Sequence, residues 1–87
     1  MSIKEEFEMS TKLVENFKKR PTDEELLKLY ALYKQSKFGN CNIEEPSRIY
    51  VKDHAKWKAW NDRKGLKQEK AMAKYSDFAL KLSDKYS

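Results

Sequence analysis

The sequence predicts an all-α fold, a small four-helix bundle. Three observations carry this. Apolar residues recur at spacings of three and four along most of the 87 residues. Only two prolines and two glycines interrupt the chain, and Lys, Glu, Leu and Ala are abundant. No stretch of useful length alternates apolar and polar residues, so strands are not expected. The length suits one domain, residues 1–87, with one small core. Charged residues make up 38%, but aromatic rings recur regularly, which separates the chain from a disordered one.

Residues 3–17 form the first helix. Ile3, Phe7, Ser10, Val14 and Phe17 lie on one face, with Leu13 beside them. Lys18, Lys19 and Arg20 follow, where cations suit the dipole, and Pro21 stops the helix. Thr22 caps the second helix, and Glu25, three residues on, completes a capping box. Leu26, Leu29, Tyr30 and Tyr33 carry this helix, with Leu27, Ala31 and Lys34 as an adjacent stripe. Gly39 and Asn40 end it, because both tolerate positive φ. Residues 40–49 read as a loop, and Pro46 biases Glu45 away from helix. A third helix over 51–63 contains Ala55, Trp57, Ala59 and Trp60. Gly65 breaks it. A fourth runs over 67–85 on Ala71, Tyr75, Phe78 and Leu82, widened by Met72, Ala79 and Tyr86. Four such helices with mostly short connections pack as a bundle.

Composition excludes several chemistries. Two glycines, Gly39 and Gly65, cannot build a dinucleotide or Walker phosphate loop. One His and one Cys, thirteen positions apart, make no metal site. Asp53 and His54 are adjacent, so on a helix they point about 100° apart and do not form an acid–base pair. They read as a surface acid near a helix start and a solvated His. Cys41 reads as a loop thiol. It has no partner for a disulfide within the chain, and no apolar leader is seen, so a reducing, cytoplasmic compartment is expected. No apolar run approaches the length of a membrane span. Binding is the expected class, not catalysis.

The net charge of +5 is unevenly placed. Residues 1–25 sum to −2, whereas 26–43 carry Lys28, Lys34 and Lys37 and no acid. Residues 48–63 and 64–87 each carry +3. This suits a phosphate-bearing partner, although lysines that merely solvate helix faces give the same tally.

One stretch, LKLYALYKQSKFGNCN at 27–42, concentrates chemistry. Tyr30, Tyr33 and Lys34 lie within one helical turn. A phenol offers a ring and a hydroxyl, and an ammonium pairs with phosphate. Lys52 and Lys56, four apart on the third helix, share a face. Tyr75 adds a hydroxyl from the fourth. Leu26 and Leu27, one turn before Tyr30, begin an apolar groove. A ligand joining a nucleotide to an apolar tail needs these groups together. The same tyrosines also fit a core stripe with hydroxyls at the surface, and the residues alone leave both readings open.

The chain resembles the acyl-CoA-binding protein family along nearly its whole length. The resemblance rests on Pro21–Glu25, on LYALYKQSKFGNCN from Leu29 to Asn42, and on Glu45-Pro46. It continues through AKWKAWN from Ala55 to Asn61, Lys64-Gly65, Ala71-Met72 and Tyr75. It implies an up-down-down-up bundle and binding of medium- to long-chain acyl-CoA esters, as an intracellular carrier and pool former, without turnover. Carried over by position, Tyr30, Tyr33, Lys34, Lys56 and Tyr75 hold the coenzyme A head. Leu26, Leu27 and Trp57 line the acyl groove, with Phe7 nearby, and Trp60 is mainly structural. The ligand is the acyl-CoA; no cofactor and no metal are implied. A monomer is expected, with transient contacts to membranes and acyl-CoA-using enzymes. The alternative is a basic helical module that binds nucleic acid or a protein partner.

Five positions depart from that family's common pattern. Glu15 stands where a lysine is frequent, and Asp53-His54 where Gly-Lys is frequent. Lys67 and Lys70 replace a common Ser cap and an acid. Losing the cap costs about 1 kcal/mol.

Overall fold

The structure, a computed structural model, describes residues 1–87. Four helices follow in order: α1 (Ile3–Glu15), α2 (Asp23–Phe38), α3 (Val51–Asn61) and α4 (Gln68–Tyr86). There are no strands. The molecule is flat, 37 × 28 × 14 Å. α4 packs on α1 and α2, and α3 packs on α2 alone.

Contacts at the helix ends establish the directions. Lys18 N–H donates to the Tyr86 carbonyl at 2.7 Å, so the C-terminal ends of α1 and α4 meet and these helices run parallel. Tyr86 and Lys85 reach Glu25 at the start of α2, so α2 runs against α4. Trp60 Nε1 donates to the Gly39 carbonyl at 2.9 Å, joining the C-terminal ends of α2 and α3. The order is therefore up-down-down-up.

Local chemistry accounts for most boundaries. Thr22 Oγ1 accepts from Glu25 N–H while the Glu25 carboxylate accepts from Thr22 N–H, the expected capping box. α1 begins with the same device, Ser2 with Glu5. That Ser-x-x-Glu pattern lies just ahead of the apolar face that begins at Ile3. Gly39 ends α2 at φ +75°, a conformation that L side chains resist. Lys67, the N-cap of α4, makes no side-chain cap, in keeping with the lost serine.

Two helices stop early. α1 ends at Glu15, not at residue 17. Asn16 turns its amide back to the Lys12 carbonyl at 2.8 Å, and Phe17 leaves the helix to pack on Tyr86, ring centres 6.1 Å apart. α3 ends at Asn61, two residues before the expected limit, because Arg63 and Lys64 N–H groups bond in tight turns to Trp60 and Asn61. Both stops come from chain reversal imposed by neighbours, which periodicity does not report.

Phe7, Leu29, Leu32, Tyr75, Ala79 and Leu82 form the core between α1, α2 and α4. α2 lies between α3 and α4, so it buries Ala31, Gln35 and Ser36 as well as Leu29 and Leu32. Gln35 is a buried polar tie. Its amide donates to Asn40 Oδ1 at 3.0 Å and to the Leu66 carbonyl at 2.8 Å, and Asn40 Oδ1 also accepts from Gly65 N–H. This knot holds the α2–α3 loop and the α3–α4 turn against the end of α2.

Candidate functional site

α2 and α3 run side by side and leave an open groove of about 720 Å³ between their N-terminal halves. The volume suits a drug-sized or larger ligand. Leu26, Leu27 and Tyr30 line it from α2, and Val51, Lys52, Ala55 and Lys56 from α3. Arg20 and Asp23 close the end nearest the α1–α2 connection. The helical repeat explains the lining. Residues 26, 27 and 30 share one face of α2, and 51, 52, 55 and 56 share one face of α3.

Tyr30 is the pivot. The Lys34 ammonium of its own helix and the Lys56 ammonium of α3 each lie 5.7 Å from its ring centre. Lys34 also stands 4.9 Å from the Phe38 ring and 5.5 Å from the Trp60 ring. Such distances are within cation–π range, and neither lysine is in an ion pair. Both charges are therefore held in place yet unneutralised. Burial, then Cys41 and Asp53, push the Tyr30 phenol above its ordinary pKa. The hydroxyl remains protonated and able to donate at neutral pH.

A second aromatic group lies toward α1 and α4. Tyr33 stacks on Phe7 with ring centres 5.9 Å apart, and Tyr75 meets Phe7 edge-on at 5.2 Å. Tyr33 and Tyr75 are 6.3 Å apart. Tyr75 is 5% exposed. Burial first, then Tyr33 and Glu15, push its phenol up to about 12.

The residues singled out in the sequence thus fall into two neighbouring sets. Leu26, Leu27, Tyr30 and Lys56 border the groove, with Lys34 against Tyr30. Tyr33 and Tyr75 sit together over Phe7, which is buried as part of the core and outside the groove. Trp57 also lies outside the groove. Its indole N–H donates to the Ile43 carbonyl at 3.1 Å, fastening the α2–α3 loop. Trp60 is buried, as a structural role requires.

His54 differs from the solvated side chain that was expected. Its Nε2 lies 2.6 Å from Glu45 Oε2, and only 18% of its side chain is exposed. The reason is tertiary: the 39–50 loop folds back along α3 and brings Glu45 to it. The Asp53–His54 pair is thus no acid–base unit. Cys41 is half-buried, and its Sγ makes one weak contact with the Ile43 carbonyl at 3.9 Å.

Arg20, Val51 and Ala55 went unmarked as groove residues. Ala55 and Val51 follow from the helical spacing of Lys52 and Lys56. Arg20 has no such signal, because the turn after α1 alone delivers it. No group of His, Cys, Asp or Glu side chains could hold a metal ion, and no helix is long and apolar enough to cross a membrane.

Comparison with known proteins agrees with this fold. The family model described as acyl CoA binding protein matches residues 4–79. The acyl-CoA-binding protein of Dictyostelium discoideum is 46% identical over 81 residues, 93% of this chain and 96% of that one. The crystal structure of acyl-CoA-binding protein 2 of Oryza sativa superposes with a TM-score of 0.91 at 32% identity, over 95% of this chain and 90% of that one. The solution structure of the yeast acyl coenzyme A binding protein gives 0.76 at 42% identity, over 93% and 94%. With a family model matched over most of its length and a matching fold, the chain belongs to the acyl-CoA-binding protein family.

Proposed function

We propose that the protein binds medium- to long-chain fatty acyl-CoA esters reversibly and without chemical change. In this role it is a cytoplasmic carrier and pool former. One observation carries the reading: Tyr30, with the Lys34 and Lys56 ammonium groups each 5.7 Å from its ring centre, borders the same groove as Leu26, Leu27 and Ala55. Aromatic and cationic groups suit a phosphorylated nucleotide, and the apolar lining suits a hydrocarbon chain. Lys34 and Lys56 take phosphate, Tyr30 takes the adenine face, and Tyr33 and Tyr75 contribute hydroxyls. Leu26 and Leu27 take the acyl chain, with Trp57 and Phe7 supporting its surroundings.

The two ends make separable contributions. Each methylene removed from water stabilises the complex by about 0.8 kcal/mol. Eight more therefore contribute up to about 6 kcal/mol. Long esters bind far better than acetyl-CoA or free coenzyme A. A free fatty acid lacks the head and binds poorly. The carrier acts as a monomer. It meets membranes and acyl-CoA-using enzymes transiently, through the exposed residues Ile49, Tyr50 and Val51 beside the groove.

Calorimetry with palmitoyl-CoA, free coenzyme A and palmitate tests this. A saturable 1:1 isotherm for the ester, with much weaker binding of the other two, is expected. No saturation with the ester overturns the reading. Native mass spectrometry with an oligonucleotide separates it from a nucleic-acid module, whose binding would be steeply salt-dependent and indifferent to acyl chains.

A further inference from the structure

A second concavity, of about 270 Å³, lies between α2 and α4. Phe78 forms its apolar part with the buried Leu32 beneath, Lys28, Lys74 and Lys81 its rim, and Arg63 enters from the turn after α3. Lys28 and Leu32 lie roughly 170° around α2 from Leu26, Leu27 and Tyr30. The two concavities therefore open on opposite sides of the molecule, and this one plays no part in the proposed ester site.

Its charges are not spoken for. Four cations from three parts of the chain meet here, and Asp77 is the single carboxylate among the lining groups. None of the five takes part in an ion pair, although Asp77 lies within one helical turn of both Lys74 and Lys81. Their side chains make no hydrogen bonds either, whereas Lys58, Lys85 and Arg20 elsewhere do. The Lys28 ammonium is 4.3 Å from the Phe78 ring centre, which directs it across the concavity. Arg63 is half-buried, and its planar fork has neither an ion-pair nor a hydrogen-bond partner. Holding like charges together unneutralised costs stability unless an anion is taken up.

We propose that this concavity is a second anion site, which takes a phosphoryl group carrying at least two negative charges. Lysine supplies mobile point charges to such a group, and Arg63 supplies paired N–H donors. The excess of cations over Asp77 favours a dianion or polyanion over a monoanion. The size fits a phosphorylated headgroup or a small soluble polyphosphate. Both present the same chemistry.

The test uses isotope-labelled full-length protein, first loaded with palmitoyl-CoA at 1:1 as checked by native mass spectrometry. Sodium pyrophosphate is titrated in while backbone amide shifts are followed, with sodium chloride at matched ionic strength as the control. Saturable shifts confined to the amides around Lys28, Arg63, Lys74 and Lys81 are expected. The Lys74→Gln, Lys81→Gln double variant, altered only at exposed α4 positions, should bind pyrophosphate at least about tenfold more weakly. Its palmitoyl-CoA affinity should be unchanged. Vesicles of phosphatidylcholine with and without phosphatidic acid identify the source. Co-flotation with phosphatidic acid that the double variant loses assigns the site to a lipid headgroup, and saturation by pyrophosphate alone assigns it to a soluble anion. Shifts that do not saturate, that spread over all lysines, or that the double variant leaves intact overturn the proposal. Failure to load palmitoyl-CoA would sink the ester reading instead, and the pyrophosphate titration on unloaded protein would still decide this one.

Discussion

The Lys56 ammonium of α3 lies 5.7 Å from the centre of the Tyr30 ring of α2. The contact bridges the two helices that form the groove, and it points a charge into it that no carboxylate neutralises. Lys56→Met keeps the apolar stem and removes the charge. It should weaken palmitoyl-CoA binding by about 10- to 100-fold, the worth of a charge-assisted hydrogen bond. The salt dependence of binding should flatten with it. Lys34→Met should act similarly, while Tyr30→Leu should also remove the ring. Circular dichroism should show helicity unchanged in all three. Parent-like ester affinity in calorimetry would move the head site elsewhere.

Glu15 and Tyr75 form a second relationship, this one unfavourable to a phosphate ligand. The acid contributes to raising the Tyr75 phenol, after burial and Tyr33. Glu15 is exposed, so reversing its charge perturbs no core packing. Glu15→Lys should raise ester affinity by roughly three- to tenfold at low salt, and less at high salt. It should also lower the Tyr75 transition in an alkaline titration followed by phenolate absorbance. Tyr75→Phe should abolish that transition and so identify it.

Glu25 ties the start of α2 to the end of α4. Its carboxylate accepts from Tyr86 Oη at 2.5 Å, from Lys85 Nζ at 3.1 Å and from Thr22 N–H at 2.9 Å. The Tyr86 hydrogen bond first, then the Thr22 N–H, hold its pKa at about 2 instead of 4.5. A carboxylate with a depressed folded-state pKa stabilises above its unfolded value. That stabilisation is lost as pH falls through the folded one. Glu25 therefore contributes fully above about pH 4.5 and loses its contribution between 4.5 and 2. Thermal melts across that window should show a steep acid limb that Glu25→Gln flattens.

How much of this was legible in the sequence follows from how local each interaction is. Thr22 with Glu25 is a four-residue device, and it formed as read. Tyr30 and Lys34 are four apart on one helix, so their proximity follows from helical geometry alone. That Lys56 reaches the same ring needs α2 and α3 to run parallel, which periodicity cannot state; the family resemblance carried that information. Phe17 left its helix for Tyr86, and His54 found Glu45, because partners distant in sequence outweighed local preference. Arg20 at the groove end is of the same kind. Buried polar groups such as Gln35 were invisible for a simpler reason: on a helix, a glutamine between tyrosines and lysines looks like a solvated position.

The start of α4 offers a gain in stability. Lys67 occupies the N-cap position with extended backbone, φ −65° and ψ 146°, but its side chain cannot accept from the first-turn N–H groups. Lys67→Ser places a hydroxyl there without altering the backbone. Urea unfolding should show about 1 kcal/mol of added stability with an unchanged m-value. No gain would mean that solvent already satisfies those N–H groups.

Gln35 tests whether the polar knot or the apolar core holds the turns in place. It is 0% exposed, and its amide nitrogen serves both the Asn40 side chain and the Leu66 carbonyl. Gln35→Ala removes both bonds, takes the donor from the part-buried Leu66 carbonyl and leaves a hole. Leaving a buried polar group unsatisfied costs about 1–3 kcal/mol, and the truncation adds to it. A loss of about 3 kcal/mol is expected, or more than 10 °C in Tm for a chain of this size. Gln35→Leu fills the hole but restores neither bond, leaving Asn40 Oδ1 with Gly65 N–H alone, so it separates the two contributions. If Gln35→Leu is as stable as the parent, packing alone holds the turns. If it is as unstable as Gln35→Ala, the hydrogen bonds from Gln35 hold the α2–α3 loop and the α3–α4 turn together, and with them the C-terminal end of the groove-forming pair.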